Sequence, residues 1–113
     1  MSQDLVAYGR EVDARTAALF KAAPGPMRAF QQLVAEATKD GVLDAKLKEL
    51  MALAIAVGLR CEGCVVYHTR AALEKGASRD EVVETIAVAV EMGGGPAAVY
   101  GGQALAAYDQ HAG

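Results

Sequence analysis

The sequence predicts an all-α fold, and three observations carry that prediction. Of its 113 residues, 53% are hydrophobic and 24 are alanine, while only 5% are aromatic. That composition is rich in helix formers and too apolar for a disordered segment. Apolar residues recur at three- and four-residue spacing, and no alternation of period two persists anywhere along the chain. Proline and glycine clusters interrupt the periodic stretches at intervals that mark out six helices in one domain over residues 1–113.

The first predicted helix covers about Gln3 to Ala22, with a ragged apolar face of Leu5, Val6, Val12, Ala17, Leu19 and Phe20. Pro24-Gly25-Pro26 stops it, because proline cannot continue the hydrogen-bond ladder and restricts the residue before it. A second helix follows from Pro26 or Met27 to Asp40, with Phe30, Leu33, Val34 and Ala37 at helical spacing. Gly41 suits a left-handed position after it. Asp44 is the expected N-cap of a third helix that runs to Leu59. Its stretch from Leu50 to Leu59 has no polar side chain, which predicts the central buried helix.

A short break at Gly58–Arg60 leads to a fourth helix, Cys61 to Lys75, closed by Gly76. Ser78-Arg79-Asp80-Glu81 reads as a capping box, serine at the cap and glutamate three residues on. It opens a fifth helix from Arg79 to Met92, with Val82, Val83, Ile86 and Val90 on its apolar side. Gly93-Gly94-Gly95-Pro96 then breaks the chain, and Pro96 fits the first position of a sixth helix to Gln110.

Charge and hydropathy exclude several classes of function. A formal net charge of −3 offers no basic face for nucleic acid. Of the two longest uncharged runs, Leu50–Leu59 is too short to cross a bilayer, and Met92–Tyr108 carries five glycines and a proline. No basic leader followed by an apolar core opens the chain, so a cytoplasmic location is expected. Several segments are apolar on nearly every side, which in a monomer would leave a sizeable patch facing water. A homo-oligomer is the expected remedy.

The chemistry concentrates in Cys61-Glu62-Gly63-Cys64 and His68. On a helix, positions i, i+3 and i+7 form one stripe. Cys61 falls at or just before the first turn, where unpaired backbone N–H groups favour a thiolate. Cys64 has an imidazole one turn below it, able to take its proton. Two thiols three residues apart can also close a disulfide with little rearrangement. Redox use is favoured over buried cysteines acting as small hydrophobes, because a histidine stands in register with the pair. It is favoured over a structural disulfide, which a reducing compartment disfavours, and over zinc held by Cys61, Cys64, His68 and His111, because His111 lies near the C-terminal end and no second tight ligand pair exists.

Glu49 is the last charge before the uncharged run of the third helix. If the third and fourth helices form an antiparallel hairpin turning near Arg60, His68 lies opposite Ala52 and Cys64 opposite Ala56. Glu49, one turn beyond Ala52, then reaches His68 directly or through one water but does not reach Cys61. A carboxylate behind an imidazole fixes its tautomer and stabilises the imidazolium formed when it takes a thiol proton. The alternative is a surface glutamate paired with Lys46.

The spacing of Glu49, Cys61, Cys64 and His68 resembles the signature of AhpD-like alkylhydroperoxidases, within the carboxymuconolactone decarboxylase family. The likeness extends through Lys48-Glu49-Leu50, Ala54-Ile55-Ala56, His68-Thr69-Arg70-Ala71-Ala72 and Gly93-Gly94-Gly95-Pro96-Ala97, and spans about Asp44 to Tyr108. It implies a compact six-helix, all-α domain assembled as a trimer or hexamer. Cys64 would match the peroxide-attacking thiol, Cys61 the resolving one, and His68 with Glu49 the proton relay. The implied partners are a hydroperoxide substrate and a dithiol reductant, with a dihydrolipoyl group on another protein as the family's precedent. No motif asks for flavin, nicotinamide, haem or nucleotide, and no cofactor or metal is expected.

One departure stands out: the histidine that peroxidase members carry just before the second cysteine is Gly63 here. Glu62 should point away from the stripe, and Tyr67 is expected to pack along its helix, with donation of a hydrogen bond into the site as the alternative. Two enzymatic rivals remain at this stage. Lactone decarboxylation would use Arg60 and Arg70 on an anionic substrate but has no need of two thiols. A dithiol–disulfide reductase without peroxide specificity is made credible by Gly63. A non-enzymatic oligomer whose cysteines sense redox state is the third alternative.

Overall fold

The computed structural model describes residues 3–113, which form five α-helices and no strand. They are α1 (Leu5–Ala22), α2 (Pro24–Thr38), α3 (Ala45–Leu59), α4 (Glu62–Glu74) and α5 (Arg79–Ala112). Each start has a chemical cause. The Asp4 and Asp44 carboxylates accept the N–H groups of Ala7 and Leu47, while Ser78 and Glu81 close a reciprocal capping box. Pro24 and Pro26 lie inside the first turn of α2, where a missing N–H costs nothing. They therefore separate α1 from α2 by the single residue Ala23, and α2 starts earlier than expected.

The expected sixth helix is corrected to the second arm of α5. Only Gly94 leaves helical geometry between Arg79 and Ala112, at φ 71° and ψ −150°, a region open to glycine alone. A straight helix of 34 residues would be about 51 Å long, yet the longest dimension of the molecule is 40 Å. The helix folds back on itself at Gly94. A Cβ on Gly101 would stand 2.5 Å from Ile86 Cγ2, and the Arg79 guanidinium donates to both carboxylate oxygens of Asp109, at 2.9 and 3.1 Å. By length and apolarity alone α5 would suit a membrane span, and 17% of its apolar window is buried within the protein.

A second correction concerns Gly41, which is not left-handed. α2 ends at Thr38, whose hydroxyl donates to the Val34 carbonyl, and Lys39 is already extended. The turn is held instead by the Asp40 carboxylate on the Ala45 N–H and by the Lys48 ammonium on the Lys39 carbonyl. Gly76 does take positive φ, 91°, where it closes α4.

The core lies where α3, α4 and both arms of α5 meet: Leu50, Leu53, Ala56 and Val57 against Val65, Ala72, Val82, Ala89, Ala97 and Ala104. Tyr108 seals one end and donates its hydroxyl to the Ala77 carbonyl at 2.9 Å. α1 packs on α4 and α5 through Leu5, Tyr8, Val66 and Ala107. The expectation of a wholly buried α3 is only half met, since Ile55 is 60% and Leu59 72% exposed on its outer side. α2 buries no residue at all, and Phe30 and Leu33 on its apolar face remain 55% and 63% exposed.

Candidate active site

The site is built by the sharp reversal between α3 and α4. The N–H of Cys61 donates to the Ala56 carbonyl and that of Arg60 to the Val57 carbonyl, both at 3.2 Å. This pair of bonds is the Schellman closure of a helix, and it requires a left-handed residue. Arg60 occupies that position at φ 57° and ψ 43°, the one non-glycine residue with positive φ among those described. α4 thereby returns antiparallel along α3, so residues equidistant from Arg60 face each other.

Cys61 is the N-cap of α4, with extended geometry and a sulfur that accepts the Cys64 N–H at 3.3 Å. The two cysteines are joined as a disulfide, with their Cα atoms 5.2 Å apart. Cys64 is exposed and Cys61 half-buried. One turn further along, the His68 ring meets Glu49 of α3, with Nδ1 and Oε2 3.0 Å apart. Glu49 is buried. A buried carboxylate needs a partner, and an ionised one requires His68 to carry its proton on Nδ1 and donate it, leaving Nε2 free as a base. Glu49 thus contacts His68 directly, and Lys46, its alternative partner, bonds Glu81 at 2.9 Å instead.

Tyr67 lies edge-on to His68, ring centroids 5.0 Å apart, and the Arg70 guanidinium sits 5.3 Å from the centre of the Tyr67 ring. Arg70 also donates to Asp13 of α1 at 3.0 Å. The zinc alternative is not assembled. Both sulfurs are engaged with each other, and His111 Nδ1 bonds the Ala107 carbonyl of its own helix at 2.8 Å. Among the described residues no three His, Cys, Asp or Glu side chains converge to hold a metal ion.

Sequence reasoning missed the contribution of α1. A Cβ on Gly63 would stand 3.3 and 3.5 Å from the Val12 methyls and 3.9 Å from the Tyr8 hydroxyl. The volume into which a side chain at 63 would grow is therefore occupied by α1. Burial, then the neighbouring Glu62 carboxylate, raise the Tyr8 hydroxyl above its ordinary pKa, so it stays a neutral donor. Gly9 marks the same crossing, because a Cβ there would come within 3.1 Å of Val66. Two glycines within helices, Gly9 in α1 and Gly63 in the first turn of α4, were the available signal for a close helix crossing, but nothing in the sequence paired them.

Comparison with known proteins gives a consistent picture. The profile of the carboxymuconolactone decarboxylase family matches residues 24–107. An uncharacterised protein of Cupriavidus necator is 44% identical over 109 residues, 96% of either chain. A carboxymuconolactone decarboxylase family protein from Legionella pneumophila superimposes with a TM-score of 0.94 at 38% identity, covering 99% of this chain and 100% of its own. A Thermotoga maritima family member, whose description raises an antioxidative role without assigning it, gives 0.78 at 27% identity over 96% of this chain and 89% of its own.

Proposed function

The chain belongs to the carboxymuconolactone decarboxylase family, and from that premise we propose that it is a dithiol-dependent hydroperoxide reductase. The single observation that carries this reading is the Glu49–His68 pair at 3.0 Å, set one helical turn from Cys64, the exposed residue of a Cys-x-x-Cys disulfide. A structural disulfide has no use for a buried carboxylate and imidazole beside it. A peroxidatic thiol does.

In the reduced protein, His68 takes the Cys64 proton, and Glu49 stabilises the imidazolium that results. The Cys64 thiolate attacks one peroxide oxygen, the O–O bond breaks, and the alkoxide leaves with a proton from His68. Cys64 is now a sulfenic acid. The Cys61 thiol condenses with it, releasing water and forming the disulfide. An external dithiol returns two electrons by exchange and leaves as its own disulfide. A dihydrolipoyl group on a partner protein fits that role. With Gly63 lacking a side chain, the relay consists of His68 and Glu49 alone.

Lactone decarboxylation is less well supported. Of the two arginines it would use, Arg70 is paired with Asp13 at 3.0 Å, and the reaction has no need of two thiols. We further propose that the chain works as a trimer or hexamer. The uncovered apolar faces of α2 and α3 support this.

The test is consumption of cumene hydroperoxide driven by free dihydrolipoamide, with wild type beside Cys64→Ser and Cys61→Ser. Sustained turnover is expected in wild type alone, with Cys61→Ser reducing a single equivalent of peroxide. Turnover that survives loss of Cys64 would sink the mechanism. A silent wild type whose disulfide is still readily reduced would replace it with a general dithiol–disulfide reductase.

A further inference from the structure

The two sulfurs of the disulfide are not equivalent, and the difference bears on the step that regenerates the site. Cys64 is exposed in the first turn of α4, while Cys61 is half-buried in the reversal between α3 and α4. Thiol–disulfide exchange depends on which sulfur the incoming thiolate can reach and on how well the other is stabilised as it leaves. Reach favours Cys64. Departure favours Cys61, whose sulfur caps α4 and accepts the Cys64 N–H at 3.3 Å. At a helix start the N–H groups lack carbonyl partners, so negative charge developing on that sulfur meets a donor already in place.

We propose that the reductant attacks Cys64 and expels Cys61, so that the mixed disulfide of the catalytic cycle forms on Cys64 alone. This deepens the reading given above and rests on it only for the identity of the reductant as a dithiol. In the first exchange one thiolate of the dithiol bonds to Cys64 Sγ, the Cys61–Cys64 bond breaks, and its electron pair stays on Cys61 as a thiolate. In the second, the other thiol of the reductant, after losing its proton, attacks the reductant's own sulfur in the mixed disulfide. The reductant leaves as a cyclic disulfide, and Cys64 departs as a thiolate within one turn of His68. Two electrons have passed to the protein. The sulfur that meets the reductant is then the one that meets the peroxide, so both reactants use a single approach, and Cys61 remains an internal partner throughout.

The experiment needs neither peroxide nor a lipoyl protein. Oxidised wild-type protein is mixed with glutathione, a monothiol that cannot complete the second exchange. The reaction is quenched with N-ethylmaleimide over a series of short times. Cleavage after Arg60 and Arg70 releases residues 61–70 as one peptide, and fragmentation assigns each label. The expected result at the earliest times is glutathione on Cys64 with maleimide on Cys61, at least tenfold over the reverse pattern. Equal labelling, an excess on Cys61, or no adduct on either sulfur would overturn the proposal. Because peroxide is absent, a failed peroxidase assay leaves this result standing, and a reversed adduct leaves the peroxidase reading standing.

Discussion

At the scale of single residues, Glu49 is a buried charged side chain in the core of the protein. It sits in a buried position of an otherwise apolar helix, and an unpaired carboxylate there would cost several kcal/mol. His68 relieves that cost and acquires a fixed tautomer in return. Glu49→Gln keeps the volume and an acceptor for Nδ1 but removes the charge that supports the imidazolium. Peroxide turnover should then fall by about a hundredfold or more, while opening of the disulfide by glutathione changes little. Stopped-flow peroxide reduction beside glutathione labelling separates the two. The Glu49–His68 contact was legible in the sequence, because an antiparallel hairpin about Arg60 makes positions calculable by counting outward from the turn. Tyr8 and Asp13 were not legible. Their arrival at α4 depends on how α1 crosses it, which no local spacing encodes.

At the scale of elements, the packing of α1 on α4 accounts for Gly63. Gly63→His, which restores the residue type the peroxidase signature carries there, forces a side chain into the Val12 methyls. Overpacking of this kind typically costs about 1–3 kcal/mol. Thermal or urea denaturation should register that loss, and Val12→Ala in the same chain should recover most of it. The start of α5 supplies a pH-dependent contribution. The Ser78 N–H, and after it the Lys46 ammonium, hold the Glu81 carboxyl below its usual pKa. The folded state therefore binds that proton less readily than the unfolded chain. The stabilisation is complete above the ordinary glutamate value, about 4.3, and fades as pH falls through the lower folded value. Glu81→Gln should flatten this part of the stability profile between pH 5 and 2, measured by denaturant midpoint at each pH. The starts of α3 and α5 were readable because the Asp44 cap and the Ser78–Glu81 box are local chemistry. The number of helices was not, since a single non-helical glycine produced a hairpin where four breaker residues suggested a gap. Gly41 was misread for a related reason: side chains of Thr38, Asp40 and Lys48 end α2, and no left-handed residue is needed.

At the scale of the whole molecule, the accessible surface is 6920 Å², against about 5,900 Å² for a compact monomer of this mass. The radius of gyration, 14.1 Å, likewise exceeds the roughly 13 Å of a compact chain this long. Large apolar side chains stand in that surface, Phe30 and Leu33 on α2 and Ile55 and Leu59 on α3 among them. A helix with no buried residue has little reason to hold its shape alone, so α2 is expected to find its cover on another copy. Light scattering should give three or six times the chain mass, and Leu33→Glu or Ile55→Glu should reduce it. A wild type that runs at one chain mass would refute the assembly. The apolar excess was visible in the composition. Which faces carry it was not, because periodicity identifies an apolar stripe without saying what it packs against.

The grip of Gln110 on the start of α1 has a topological consequence. Its side-chain carbonyl accepts the Leu5 N–H at 2.7 Å and its side-chain amide donates to the Gln3 carbonyl at 3.0 Å, so the segment from residue 3 to residue 110 runs almost as a closed ring. Around such a ring the order of helices along the chain is separable from their arrangement in space. Bridging residues 3 and 110 with a short linker and opening the turn between α2 and α3, where Val42 is fully exposed, yields a circular permutant of this segment that begins with α3. It would keep the α3–α4 reversal and the dithiol intact while making α1 and α2 the last helices synthesised.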